Sequence, residues 1–183
     1  MPDAAALRAR IRLSSRPVVL IDGGSGSGKT TLAAALAPAL SAQLVRLDDF
    51  YPGWDGLESA SAAVRDDVLA PEGPGWRRWD WTTGSAAEWH PLDPSQPLVI
   101  EGSGCLSRAN RALASFAIWV ELDLPTRKRR ALARDGEDYA PYWDRWAAQE
   151  RRFGRREQPW RLADLTLDDD AVASLVDGLA STV

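Results

Sequence analysis

Short apolar runs alternate along this chain with longer stretches in which apolar residues recur at helical spacing. The runs are "PVVLID" (17–22), "AQLVRLD" (42–48), "PLVIEG" (97–102), "FAIWVELD" (116–123) and "ADLTLD" (163–168). Each has the length of a strand. The first, third and fourth are apolar almost without interruption, the pattern of strands covered on both faces. Helical spacing predicts helices near 28–40, 58–69, 107–114, 126–135, 140–156 and 170–180. Strands and helices in this rhythm predict an α/β fold, a doubly wound and mainly parallel sheet with helices on both faces. Pro38 is expected to kink or end the first helix.

Residues 71–96, "PEGPGWRRWDWTTGSAAEWHPLDPSQ", break the rhythm. They are dense in Gly, Pro and Trp and have no helical period, so an excursion is expected, with a hairpin pairing 76–81 to 87–92. Insertions of this kind on an α/β scaffold form binding surface. No repeat or domain boundary is visible. The expected organisation is one domain, 1–183, with 71–96 on the substrate side and a lid at about 136–156.

Composition narrows the function. The net charge of −4 gives no general electrostatic reason to bind nucleic acid or an anionic membrane. No apolar run approaches a membrane span, and the first fifteen residues lack a signal-peptide core. Cys105, the sole cysteine, excludes an internal disulfide and suits a reducing compartment, so a soluble, cytoplasmic protein is expected. The sole histidine, His90, leaves little room for a histidine-built metal site or His-centred nucleophilic catalysis. Oligomeric state is left open, homo-oligomers included.

The strongest chemical signal is "GGSGSGKT", which satisfies G-x-x-x-x-G-K-[ST] between a predicted strand and a predicted helix. Gly23, Gly24, Ser25, Gly26, Ser27 and Gly28 form a tight loop whose N–H groups turn inward to phosphate oxygens. The helix N-terminus at Thr30 and Thr31 adds partial positive charge, and Lys29 reaches the β- and γ-phosphates. Thr30 is placed to bind Mg²⁺. ATP and Mg²⁺ are therefore the expected cofactors.

Three further features sit where such a site needs them. Asp48 and Asp49, in "VRLDDFY", stand at the carboxyl end of the second strand, the edge where open α/β sheets bind ligands. Either could merely start a loop or cap a helix; beside a phosphate loop, one of the two is read as orienting or deprotonating an acceptor hydroxyl. Glu101 ends an apolar strand in the position of a Mg²⁺-directed acid. "PTRKRRALARDGEDY" brings cations to one helix, and Arg130 and Arg134, four apart, share a face as lid candidates, with Arg127 next.

Together these segments resemble the uridine kinase-like branch of the P-loop kinases. The resemblance rests on "GGSGSGKT", then "DDFY", "VIEG" and "TRKRRALARD", in the family's order from about 17 to 135. It implies Asp48 as catalytic aspartate, Thr30, Asp48 and Glu101 around Mg²⁺, and Arg130 and Arg134 as the lid. It also implies Tyr51 in the acceptor pocket, with Trp79 and Asp80 standing where the family has a Tyr-Asp pair. The departures fall on the acceptor side: "TTGSAAEW" lacks the family's pyrimidine-reading histidine, and "YAPYWDRWAAQERRF" replaces its lid.

Nine tryptophans stand against three phenylalanines and three tyrosines. Trp54, Trp76, Trp79, Trp81 and Trp89 fall in expected loops or the excursion. Most are expected to pack and one or two to touch ligand, Trp79 first among them; Trp119 is expected in the core. The reading is an ATP-dependent kinase acting on a small-molecule hydroxyl, a nucleoside among the candidates. The alternatives are a nucleotide or antibiotic phosphotransferase, an NTPase switch, or a pseudo-kinase that holds nucleotide without transferring phosphate.

Overall fold

The computed structural model describes residues 3–181 and opens on α1 (Ala4–Ile11), β1 (Val18–Gly23) and α2 (Lys29–Leu40). β2 (Gln43–Arg46) runs into a 3-10 turn, Leu47–Asp49, and α3 (Leu57–Ala63) continues as a π-helical turn, Val64–Val68. The hairpin β3 (Gly75–Asp80) and β4 (Ser85–Pro91) precedes β5 (Leu98–Glu101), α4 (Arg108–Arg111) and β6 (Phe116–Val120). Two 3-10 turns join α5 (Leu124–Asp135) to α6 (Trp143–Glu157), and α7 (Pro159–Leu162), β7 (Leu165–Leu167) and α8 (Asp169–Ala180) complete the chain. Residues 1–2 and 182–183, the ends of the expected domain, lie outside the described residues.

Five strands form one parallel sheet in the order β2-β5-β1-β6-β7. Alternation along the strands decides the two cores. Val18, Leu20, Leu98 and Ile100 face a layer built from α3, α6 and the 47–57 loop. Val19, Ile21, Val99 and Ile118 face α1, α2 and α8. Every residue of β1 is buried, which is why its sequence carries no polar face until Asp22. Each fully buried Val, Leu or Ile contributes about 1.5–3 kcal/mol.

The expected elements are present, with two additions. α1 was not legible because Arg8, Arg10 and Arg12 dilute its apolar positions; Leu7 and Ile11 nevertheless bury a stripe, and Asp3 caps the helix by accepting from the Ala5 N–H. α7 is a single turn led by Pro159. Pro38 sits inside the last turn of α2, which ends two residues later at a left-handed Ser41. The hairpin forms close to its expected register, with a break between Arg77 and Trp79. No helix among the described residues is long and apolar enough to cross a membrane.

Candidate active site

The loop 23–30 leaves the carboxyl end of β1, where the strand order reverses, and delivers the chain into α2. Such reversals place ligands at the sheet's carboxyl edge. Gly26 and Gly28 have φ of 81° and 100°, a region L side chains avoid. A Cβ on Gly26 would also strike the Arg127 carbonyl. The sequence thus needs glycine for both curvature and clearance. Lys29 emerges only 7% exposed, with no hydrogen bond or ion pair to any described residue. Its charge acts on the buried carboxylates of Asp22 and Glu101, and its side chain lines both cavities over the loop, where an anion from outside would meet it.

Carboxylates surround this loop at three depths. Asp22, 2% exposed, accepts from the N–H groups of Gly23, Gly104 and Leu106 and so ties the loop to the turn after β5. Burial raises its pKa to about 6 against the pull of those N–H groups. Glu101, 1% exposed at the end of β5, accepts from the Thr30 hydroxyl at 3.0 Å through Oε1, while Oε2 is buried without a hydrogen-bond partner. Burial raises the Glu101 pKa as well. An unsatisfied buried carboxylate oxygen beside a threonine hydroxyl fits a Mg²⁺–phosphate complex. Among the described residues no group of three or more His, Cys, Asp or Glu could hold a metal without help. The ion would therefore arrive with the phosphates, and Thr30 and Glu101 would be its protein side.

Glu150 is the third carboxylate, and sequence reasoning missed it. Its Oε1 accepts from the Ser25 N–H at 2.6 Å, the Trp146 Nε1–H at 3.1 Å and the Ser103 hydroxyl at 3.1 Å. Its Oε2 accepts from Arg127, which also donates to the Ser25 carbonyl. Arg127 is therefore built into the wall of the loop. Only the four-residue spacing of Trp146 and Glu150 hinted at the contact.

Arg130 and Arg134 lie on the open side of α5. With Gly26, Lys29, Thr30 and Thr31 they line a cavity of about 190 Å³ over the loop. Each now pairs with a carboxylate: Arg130 with Asp169 at 2.6 Å, and Arg134 with Asp135 at 2.6 Å.

A larger cavity, about 450 Å³, joins Lys29 and Thr30 to Asp48, Asp49, Tyr51 and Arg134. Its far wall is aromatic. Trp54 stacks on Tyr142 at 4.4 Å and 7° and lies 5.0 Å from Trp81 at 54°. The Tyr51 hydroxyl donates to the Ser103 carbonyl at 2.8 Å, and burial holds its pKa well above the ordinary value. Trp79 and Asp80 do not line this cavity. Trp79 pairs with Ala86 beyond the register break, and Asp80 accepts from the Thr82 and Thr83 N–H groups to close the hairpin turn. Trp81 takes the expected place of Trp79, its Nε1–H reaching the Asp48 carbonyl at 3.4 Å.

The other tryptophans divide between packing and surface. Trp76 stacks on His90 at 4.2 Å and packs against the core, whereas Trp89 is exposed beneath Arg77. Trp143 and Trp146 are buried, so the stretch expected as lid helix is seated on the body from 143 onwards. Trp119, expected in the core, is only partly buried. Its Nε1–H donates to Glu121 and its ring meets Trp160 edge-on beside a second cavity of about 290 Å³.

This fold, with its glycine-rich cradle after the first strand, is that of the P-loop kinases. It is shared with a protein described as a possible uridine kinase from Bacillus stearothermophilus, at 21% identity and TM-score 0.57, over 89% of this chain and all of that one. A protein provisionally assigned as a fructose transport system kinase from Silicibacter sp. TM1040 aligns at 20% identity and TM-score 0.58, over 91% of this chain and all of that one. The shikimate kinase of Acinetobacter baumannii aligns at 16% identity and TM-score 0.51, over 97% of this chain and 95% of its own. In sequence, 61 residues, 32% of the chain, are 36% identical to a tRNA dimethylallyltransferase of Chlamydia pneumoniae and span 18% of that protein. No protein-family model matches the chain. These likenesses establish the fold.

Proposed function

We propose that this chain is an ATP- and Mg²⁺-dependent kinase that transfers the γ-phosphoryl group to a hydroxyl of a small molecule. The observation that carries the reading is the single cavity joining Lys29 and Thr30 to Asp48, Tyr51 and Arg134. The loop amides and Lys29 bind the β- and γ-phosphates. Thr30 and Glu101 would hold Mg²⁺, which would supply positive charge against those phosphates. Asp48, with no ion pair of its own among the described residues, faces the acceptor end and orients or deprotonates the hydroxyl. Arg134, and Arg130 once released from Asp169, stabilise charge on the transferring group. Tyr51 supplies wall, because its hydroxyl is spent on Ser103. The aromatic wall excludes water, so the acceptor rather than solvent receives the phosphoryl group.

Acceptor-stimulated ADP release tests this reading and separates a kinase from a slow NTPase switch. Lys29→Ala should abolish the stimulated rate with only a small change in Tm, since the lysine makes no hydrogen bond or close ion pair and acts on Asp22 and Glu101 at longer range. Asp48→Asn should lower kcat by ~10²–10⁴-fold with nucleotide affinity retained. Wild-type turnover in either variant would overturn the assignment.

A further inference from the structure

The charges in the larger cavity do not balance once their partners are counted. It is lined by Lys29, Arg46 and Arg134 against Asp48, Asp49, Asp135 and Asp138. Arg134 and Asp135 satisfy each other. Lys29 belongs to the phosphates, and its charge is already opposed from behind by buried Asp22 and Glu101. Arg46 is the first cation acting on Asp49; Arg78 and His90 act on it from the hairpin without lining the cavity. The carboxylates of Asp48 and Asp138 have no hydrogen bond or ion pair among the described residues. The acceptor end is therefore negative before a polyphosphate enters, and more so afterwards.

Aromatic faces border the same end. Trp54 and Trp81 meet at 54°, and Trp81 is 43% exposed. The chain's own cations lie over other rings: Phe116, Trp89, Trp143 and Phe153. Carboxylate and indole together form a receptor for an ammonium group, each attracting it electrostatically. An acidic acceptor would meet repulsion from Asp48 and Asp138, offset only by Arg46, which acts on Asp49, and by Arg134, which Asp135 and Asp48 already share.

We propose that the acceptor is an amine-bearing alcohol, its ammonium held by Asp138 and the exposed ring of Trp81, which Trp54 backs from its stack with Tyr139 and Tyr142, while its hydroxyl meets Asp48. This rests on the kinase reading above. The hydroxyl oxygen bonds to the γ-phosphorus as the bond to the β-bridging oxygen breaks; the hydroxyl proton passes to Asp48, and ADP leaves. The amine takes no part in the bond changes and serves only to position the hydroxyl.

The test is a matched panel assayed for ADP release and for phosphate transfer from labelled ATP: glucosamine, glucose and gluconate; ethanolamine, ethylene glycol and glycolate; amino-, neutral and carboxyl-substituted nucleosides. The expected result is that amine members exceed their neutral and acidic counterparts at least tenfold in kcat/KM. Asp138→Asn should raise KM for the best amine about tenfold with kcat within twofold, leaving its neutral counterpart unchanged. Preference for neutral or acidic members overturns the charge assignment and leaves the kinase reading standing. ATP turnover with no labelled product from any series overturns both. An Asp138→Asn variant with unaltered KM overturns the place given to the ammonium.

Discussion

Asp22 shows how one buried side chain can tie the glycine-rich loop to the sheet at a cost. Three backbone N–H groups hold its carboxylate, yet burial outweighs them and its pKa stands at about 6, against 3.8 in an unfolded chain. The native state therefore binds this proton more tightly than the unfolded state does. Protonation favours folding, so this residue's contribution rises as pH falls from about 7 towards 4, opposite to the usual carboxylate. The span, at 1.36 kcal/mol per unit, is on the order of 3 kcal/mol. Urea denaturation of wild type and Asp22→Asn across that range should show wild type gaining on the variant as pH drops. Parallel curves would show that the carboxylate is not so strongly desolvated.

At the scale of elements, α5 and the hairpin each combine a working face with a holding face. Arg130 on α5 is held by Asp169 at the start of α8, and that carboxylate competes with any phosphate for the guanidinium. Asp169→Asn should tighten ATP binding by about 2–10-fold, whereas Arg130→Ala should weaken it, a pair of opposite signs readable by calorimetry. Neither should change Tm much, because exposed pairs contribute about 0–1 kcal/mol. On the hairpin, Trp76 packs and Trp81 lines the cavity. Trp76→Ala should cost about 3 kcal/mol of stability. Trp81→Ala should leave Tm nearly unchanged and raise the acceptor KM. The glycine-rich loop was legible because residues 23–30 are contiguous and each type there has a local reason. The lining of the larger cavity was not. Trp54, Trp81 and Asp138 come from three separate segments, and the register break after Arg77, which no periodicity announces, puts Trp81 rather than Trp79 in the cavity.

Taken whole, the molecule converges on Glu150. The phosphate loop, the turn after β5, α5 and α6 each send a donor to one carboxylate. Glu150→Ala would leave Arg127 largely buried without its partner, and breaking such a pair costs about 3–5 kcal/mol. Tm should fall by about 10 °C on that scale, with ATP affinity falling too as Ser25 loses its anchor. Glu150→Gln should recover part of both. A loss of affinity without loss of Tm would mean that the carboxylate serves the loop alone.

The strand order has a consequence for how copies of this chain meet. The outer strands of the parallel sheet are β2 and β7, only four and three residues long. A row of backbone donors and acceptors that short is a poor template for another chain, and brevity is one of the ways proteins blunt such borders. The hairpin's two strands are longer, but Arg77, Arg78 and Glu88 punctuate them with charge and Pro91 ends the second. Continuous β-pairing from one molecule to the next is therefore discouraged at these edges, which leaves helix surfaces and exposed rings such as Trp160 as the surfaces better suited to contact between copies.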